Sequence, residues 1–154
     1  MTWQELRNRN ITNLDMGLKG KATTSGFEGQ IVVQSLSYSI TQAGEFDEES
    51  NKNARITNFS PAVIVKEMDQ SSPSISKACA EKKLFKKATI TFVDGSNKEY
   101  FKVTLEDCQI SNVSVGFHSG ETKPTETISL DYRKAEWKRG TEVASYDLKQ
   151  NVGA

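Results

Sequence analysis

The chain has 154 residues, and its 20 Lys and Arg balance its 20 Asp and Glu, so the formal net charge is zero. This length favours one domain over residues 1–154. Zero net charge argues against a nucleic-acid-binding protein, because such domains carry a basic excess. No run approaches the roughly 20 apolar residues that cross a bilayer, so no membrane insertion is predicted. The two cysteines, Cys79 and Cys108, have no metal-ligand spacing and are expected to be reduced and buried.

The N-terminal stretch, residues 1–15, is polar, and Trp3 and Leu6 are its only bulky apolar residues before Ile11. A short helix and a divergent N-terminal arm both fit this composition. The stretch lacks a basic start followed by an apolar run, so it does not resemble a secretory signal. We therefore expect folding in the cytoplasm, and any export to use a route without a cleavable signal peptide.

The first long strand is predicted over residues 30–40. Ile31 and Val33 alternate in one phase, and the later apolar residues follow the opposite phase. Such a switch predicts a bulge, or a strand that is covered on both faces at one end. The serines of this strand, with similar residues of later strands, are suited to a wall that faces water: Ser35, Ser37, Ser39, Thr89, Thr91 and Ser114.

Residues 41–55, TQAGEFDEESNKNAR, have no periodicity and many charges, which predicts a long loop or an extended hairpin. An insertion of this length in a compact domain is usually functional or disordered. The spacing of its acidic residues fits no standard calcium loop. Phe46 is the unusual residue here, because an exposed aromatic side chain at a loop tip often marks a contact.

Residues 56–82 are predicted to form strand structure followed by the one clear helix. Phe59, Val63 and Val65 lie at strand-like positions, and Pro61 belongs at an edge, a bulge or the first residue of a strand.

The helix is predicted to begin at Ser72 and Pro73. Ser72 suits the capping of free amide groups, and Pro73 suits the first helical position. The apolar face of this helix is expected to contain Ile75, Ala78 and Cys79. The lysines that follow it, residues 82–87, indicate a solvated helix end rather than a nucleic-acid site.

The remainder of the chain alternates apolar and polar residues in several segments, with a strong turn signal at Asp94-Gly95-Ser96-Asn97. Such a pattern with one helix predicts a closed or nearly closed β-barrel, or a sandwich. We predict a mainly β protein: a β-barrel of two packed sheets with one short α-helix and a long extended loop.

No catalytic, cofactor or metal site is predicted. His118 is the only histidine, and the serine of Gly116-Phe117-His118-Ser119-Gly120 stands one place late for a Gly-x-Ser-x-Gly elbow. Glu106 and Asp107 are strand neighbours and point to opposite faces, so they cannot share a substrate.

Three ordered motifs carry a resemblance to a known family. Residues 66–80, KEMDQSSPSISKACA, resemble the Lys-x-x-Asp-x-Ser-Ser-Pro segment of the haemolysin-coregulated proteins, the tube subunits of bacterial type VI secretion. Residues 18–20 with residues 29–38 are similar to its Lys-Gly and Gly-Trp-Ile-x-Val-x-Ser-Phe-x-Trp segments, with Gln30 and Tyr38 in place of tryptophans. Residues 127–132, TISLDY, resemble its late Val-Ser-Leu-x-Phe strand.

The resemblance implies a structural subunit that forms homohexameric rings, which stack into a tube. It also implies a contractile sheath, a spike protein and effector proteins in the lumen as partners, and secretion into the medium or a target cell. The loop of such proteins projects toward the next ring, which assigns ring stacking here to Glu45, Phe46, Asp47 and Glu48. Two alternatives stay open: a tail-tube subunit of a phage or another injection device, and a monomeric β-barrel that binds a small ligand.

Overall fold

The computed structural model describes residues 11–42, 57–96, 98–120, 122–149 and 152–153. Within them lie one helix and twelve strands. In chain order these are β1 (Ile11–Asp15), β2 (Ile31–Val33), β3 (Ser35–Ser37), β4 (Ile40–Gln42), β5 (Thr57–Phe59), β6 (Ala62–Glu67), α1 (Ser72–Ala80), β7 (Leu84–Val93), β8 (Glu99–Gly116), β9 (Thr125–Asp131), β10 (Lys134–Arg139), β11 (Glu142–Asp147) and β12 (Val152–Gly153).

Ten of the strands form one antiparallel sheet, whose main path is β12-β11-β10-β8-β7-β1-β2. A branch continues from β8 through β9 and β6 to β3. The long hairpin of β7 and β8 is central, and its turn contains Asp94, whose carboxylate accepts hydrogen bonds from the amides of Ser96 and Lys98. The predicted turn at this position is thereby confirmed.

The sheet curls on itself, but among the described residues no continuous ladder closes it into a barrel. Two of its edge strands, β2 and β3, are consecutive in the chain and are separated only by Gln34. There the chain leaves its pairing with β1 and begins to pair with β6, and the Gln34 amide donates to Val65 O over 2.8 Å. The switch of phase within residues 30–40, from which a bulge or a strand covered on both faces was predicted, therefore marks a change of partner strand.

The second sheet contains only β4 and β5, which flank residues 43–56. The mainly β prediction with one short helix is confirmed. The two expected sheets are one curled ten-stranded sheet and this separate pair of strands, which we call the stalk, but within the described part of the chain the sheet does not close into the expected barrel.

The interior of the curled sheet is filled by apolar side chains that are almost fully buried. The helix adds Ile75 and Ala78 to this core, as predicted, whereas Cys79 is only half-buried. Tight packing of this kind stabilises a single arrangement of strands. The strands contribute chiefly Leu14, Ile31, Ile64, Ile90, Val103, Leu105, Ile128 and Leu130.

One strand is apolar on both faces, and one predicted orientation is wrong. In β6 the buried residues are Ala62, Ile64 and Lys66, so Val63 and Val65 lie on the other, half-exposed face. The apolar run in β6 does not show which residues point into the core, because both faces of this strand carry apolar residues. Thr91 is buried and does not face water.

At the N-terminus, residues 11–15 are neither a helix nor an arm. They form β1 and pair with both β2 and β7. This position between two strands buries Leu14 completely. Residues 1–10 lie outside the described part of the chain.

A corner in β8 divides that strand between two partners. Residues before the corner pair with β10, and those after it pair with β9. Asp107 lies at the corner with φ of +52°, a conformation that a residue with a Cβ adopts at an energetic cost. The guanidinium of Arg133, in the bend between β9 and β10, lies 2.7 Å from Asp107 and 3.5 Å from Asp147. These ion pairs link the bend between β9 and β10 to the corner of β8 and to the end of β11.

Cys108 follows the corner and is fully buried. Burial, aided by the carboxylates of Asp107 and Glu106, raises the pKa of its thiol to about 12. Because the thiolate is the reactive form, we expect a maleimide at pH 8 to leave Cys108 unmodified in the folded protein while it labels Cys79. Peptide mass spectrometry measures this, with labelling of both cysteines in urea as the control. Equal labelling of both in the native state would contradict it.

Candidate functional site

The motif Lys-x-x-Asp-x-Ser-Ser-Pro folds into a buried ionic cluster at one end of the core. Lys66, the last inward-facing residue of β6, is 0% exposed. Its Nζ lies 2.7 Å from Glu126 Oε2, 3.1 Å from Asp69 Oδ1 and 3.3 Å from Ser72 Oγ. Three acceptors match the three protons of an ammonium group. At this end of the otherwise apolar core, Lys66 and its partners therefore form an ionic layer.

Ser72 joins the helix to this cluster, and this corrects its predicted role as a cap. The N-cap position is Ser71, without a side-chain capping bond, and Pro73, predicted at the first helical position, is the second residue of α1. The Ser72 hydroxyl donates to Glu126 Oε2 over 2.8 Å and accepts from the Asp69 amide over 3.0 Å. The start of α1 is thus bound to β9 as well as to β6.

The cluster has one ammonium group and two carboxylates. Within the described residues, Glu126 Oε1 and Asp69 Oδ2 are buried and have no hydrogen-bond partner. Burial acts to raise the pKa of Asp69, but hydrogen bonds from Ser71 and the contact with Lys66 outweigh it and hold this pKa below its ordinary value. Because the cluster is buried, it can fix the start of α1 in place but is inaccessible to a substrate.

A partly exposed junction lies beside the cluster. Glu67 pairs with Lys21 and, at 3.7 Å, with Lys123, and the hydrogen bond from Lys21 is the main cause of its lowered pKa. Gln70 Nε2 donates to Gly20 O over 2.7 Å. These contacts fasten the Leu18-Lys19-Gly20 motif to the turn before α1.

The stalk contacts the rest of the protein through aromatic rings. Phe59, at the end of β5, stacks on Tyr132 with a centroid distance of 5.2 Å. Its ring also meets the edges of Trp137 at 6.4 Å and Tyr146 at 6.0 Å. We call these four residues the aromatic anchor. Tyr132 is buried, and this burial raises the pKa of its hydroxyl to about 12.

The predicted ring-stacking residues Glu45, Phe46, Asp47 and Glu48 lie outside the described part of the chain. No group of three or more His, Cys, Asp or Glu suited to a metal ion occurs among the residues that the structure describes. In that same part of the chain, no helix is long and apolar enough to cross a membrane.

Large apolar side chains are exposed at the far end of β8. Val115 is 55% exposed and Phe117 is 59% exposed, and these two residues lie two positions apart. Apolar side chains grouped on a protein surface are typical of interaction sites. This end of β8 is therefore a candidate contact surface.

Comparison with known proteins decides the family. Residues 10–138 match the family described as type VI secretion system effector, Hcp. The chain belongs to the Hcp family. This family consists of structural proteins of the secretion tube, so the chain is a type VI secretion tube protein and not an enzyme.

Individual relatives agree with this family. The chain is 29% identical over 111 residues to Protein hcp1 of Pseudomonas aeruginosa, covering 63% of this chain and 68% of that protein. The crystal structure of Hcp1 from Salmonella typhimurium has a TM-score of 0.82 at 25% identity and covers 95% of this chain and 99% of its own. A type VI secretion effector from Yersinia pestis shares the fold, with a TM-score of 0.74 at 19% identity over 88% of this chain and 98% of its own.

Sequence reasoning from hydrophobicity missed the ionic cluster and the aromatic anchor. A lysine and a glutamate are expected at the surface, so the residue types of Lys66 and Glu126 do not indicate burial. The phase of β9 was a usable signal, because Glu126 shares the alternation of Ile128 and Leu130. No local pattern links Phe59 to residues that are more than 70 positions later in the chain.

Proposed function

We propose that this Hcp-family chain forms hexameric rings that stack into the inner tube of a type VI secretion system. The match of residues 10–138 to the family supports this proposal most strongly. In it, the tube assembles in the cytoplasm, leaves the cell without a cleavable signal peptide, and carries effector proteins in its lumen. The contractile sheath and the spike protein are its other partners.

The surface of one subunit is consistent with self-association. Val115 and Phe117 offer apolar area at the end of β8, and Ile40 on the stalk is 48% exposed. A ring forms when one surface of a subunit binds a different surface of the next and the rotation closes. Several oppositely charged side chains also pair on the surface among the described residues. Charge repulsion between subunits is therefore not expected to oppose their association strongly.

The core argues against the alternative of a small-ligand barrel. A ligand-binding barrel needs interior space, whereas here Ile64, Ile90 and Leu105 fill the interior with exposures of 0–2%. Solved structures that share this fold are named as Hcp or type VI secretion proteins, which favours that system over a phage tail tube.

The native mass in solution tests the proposal. Light scattering behind a sizing column should give a mass near six subunits, and negative-stain images should show rings with an open centre. A monomer at high concentration with no rings at any ionic strength would contradict the hexamer. Rings without tubes would retain the hexamer and refute spontaneous stacking.

Phe46 provides a separate prediction about stacking. If residues 45–48 contact the next ring, Phe46→Ala should shorten or abolish tubes, because it removes an apolar contact, while it leaves the ring mass unchanged. Tube length by negative stain and ring mass by light scattering measure the two effects. Loss of the folded ring itself would refute this assignment of Phe46.

A further inference from the structure

Four exposed lysines follow the helix, and none of them forms an ion pair within the described part of the chain. Two acidic side chains of the same region, Glu81 and Glu106, pair instead with other lysines, at 3.8 Å and 3.6 Å. Although the chain has zero net charge, this surface therefore has four positive charges without a partner. We call these four residues the lysine patch: Lys82, Lys83, Lys86 and Lys87.

The geometry of β7 exposes two of these lysines side by side. Phe85 and Ala88 are buried, and both residues between them, Lys86 and Lys87, are exposed. Regular alternation along a strand would turn one of the two inward. The interruption lies opposite the corner of β8. The two neighbouring ammonium groups repel each other, and an anion bound at the surface would relieve this repulsion.

An apolar side chain lies in the middle of the lysine patch and borders a cavity. Leu84 is 58% exposed. It lines a surface cavity of about 490 Å³, whose other apolar walls are Tyr132 and Leu148. The guanidinium group of the lining pairs with one of its two carboxylates at 2.7 Å. Among the described residues, the other carboxylate, Asp131, is thus the one acidic group of the cavity that faces the four lysines without a cation of its own.

The lysine patch suits an acidic protein segment better than a nucleic acid. Proteins that bind single strands stack the bases on exposed aromatic rings. The rings beside this patch, Phe85 and Tyr132, are only 7% and 8% exposed, and the ammonium group of Lys83 lies over the Phe85 ring at 5.2 Å. A second copy of this chain that brought the same patch would meet four like charges.

We propose that the lysine patch and the adjoining cavity bind an acidic segment of a partner protein, and that an apolar side chain of this segment contacts Leu84 in the cavity. Complementary charge speeds the encounter and selects acidic partners, and the apolar contact adds affinity. This inference goes beyond the proposed function and does not depend on it.

Fluorescence anisotropy with a labelled peptide tests the proposal. The probe is the acidic peptide Glu-Glu-Leu-Glu-Glu-Phe-Glu-Glu, and the reference peptide has serine in place of both apolar residues. We expect the unmodified protein to bind the probe about tenfold more tightly than the reference, because only the probe can fill the cavity. Binding should weaken as salt rises, since the lysines are exposed. Absence of binding, or equal affinity for both peptides, would overturn the proposal.

Matched variants locate the binding surface. Replacing both Lys86 and Lys87 by Gln should weaken binding of the probe by about tenfold, and Leu84→Ala should weaken it by about fivefold. The control replaces Lys98 and Lys138 by Gln, which removes the same charge near the turn of the β7–β8 hairpin, at its other end. It should leave the affinity unchanged. Equal weakening in the control would show attraction by net charge alone and would refute this site.

Three further measurements test other occupants of the lysine patch. A labelled single-stranded oligonucleotide, or vesicles with anionic phosphatidylserine, should bind more weakly than the probe peptide. Tighter binding of either one would reassign the patch to nucleic acid or to a membrane surface. Light scattering should give the same mass for the unmodified protein and for the variant with Gln at positions 86 and 87. A changed mass would show that the patch lies between copies of this chain, and the proposal would fail.

Discussion

Lys66→Met should lower the free energy of unfolding by about 3–5 kcal/mol at pH 7.5, the largest effect that we expect from a single substitution in this chain. Lys66 is fully buried and has the only ammonium group within 4 Å of Asp69 and Glu126 among the described residues. Methionine fills a similar volume, so loss of packing contributes little. The loss comes from two buried carboxylates that no cation compensates.

The pH dependence identifies this cause. In the unmodified protein the pKa of Asp69 lies below its ordinary value of 3.8, so Asp69 contributes stability above that pH and the contribution is lost as pH falls through the lowered pKa. In Lys66→Met the buried carboxylate of Asp69 loses its cationic partner, so protonation of Asp69 becomes favourable. The difference between the two proteins should therefore shrink between pH 7.5 and about pH 4.5, as measured by urea unfolding.

Glu126→Gln is the matched control, because it leaves one ammonium group opposite one carboxylate. Its amide oxygen can still accept from Lys66 and Ser72, so we expect a loss of about 1 kcal/mol, well below that of Lys66→Met. Equal losses for the two variants, or a Lys66→Met deficit that does not depend on pH, would show that burial of charge is not the cause.

The fold was predictable wherever a local pattern determines the structure. Alternation of apolar and polar residues predicted strand structure at β9, and Pro73 marked the start of the helix, since both features depend on near neighbours. The turn after β7 followed from Asp94-Gly95 for the same reason.

Long-range pairing and buried charge were not predictable in this way. The corner at Asp107 exists because β8 exchanges β10 for β9, and the stalk is separate because β3 pairs with β6 rather than with β4. Lys66 enters the core only because Asp69, Ser72 and Glu126 meet it there. The resemblance of the motif drew attention to residues 66–80, but no pattern of hydrophobicity predicts that Lys66 is buried.

Gly20→Ala should destabilise the fold by about 1–3 kcal/mol or more, because the site has no room for a methyl group. A Cβ at Gly20 would lie 2.5 Å from both Gln30 O and Ile31 Cα, which are backbone atoms and cannot rotate away. The same stretch of chain is bound on both sides: the Gly20 amide donates to Gly29 O over 2.8 Å, and Gly20 O accepts from Gln70.

Relief of this clash would have to move the chain just before β2, where Ile31 is fully buried beside Leu14. It would also disturb the hydrogen bond to Gln70, which borders the ionic cluster. We therefore expect Gly20→Ala to lower the thermal midpoint and, in addition, to speed amide exchange in β2 and at the start of α1 before global unfolding.

Gly116→Ala provides the control for the change in chain entropy. A methyl group at Gly116 would meet no atom within 4 Å, and the φ of this residue is ordinary, so alanine there should be neutral or stabilise by up to about 1 kcal/mol. A thermal midpoint for Gly20→Ala equal to that of Gly116→Ala would mean that residues 20 and 30 separate at little cost. The Leu18-Lys19-Gly20 motif would then need an explanation other than close approach of two backbones.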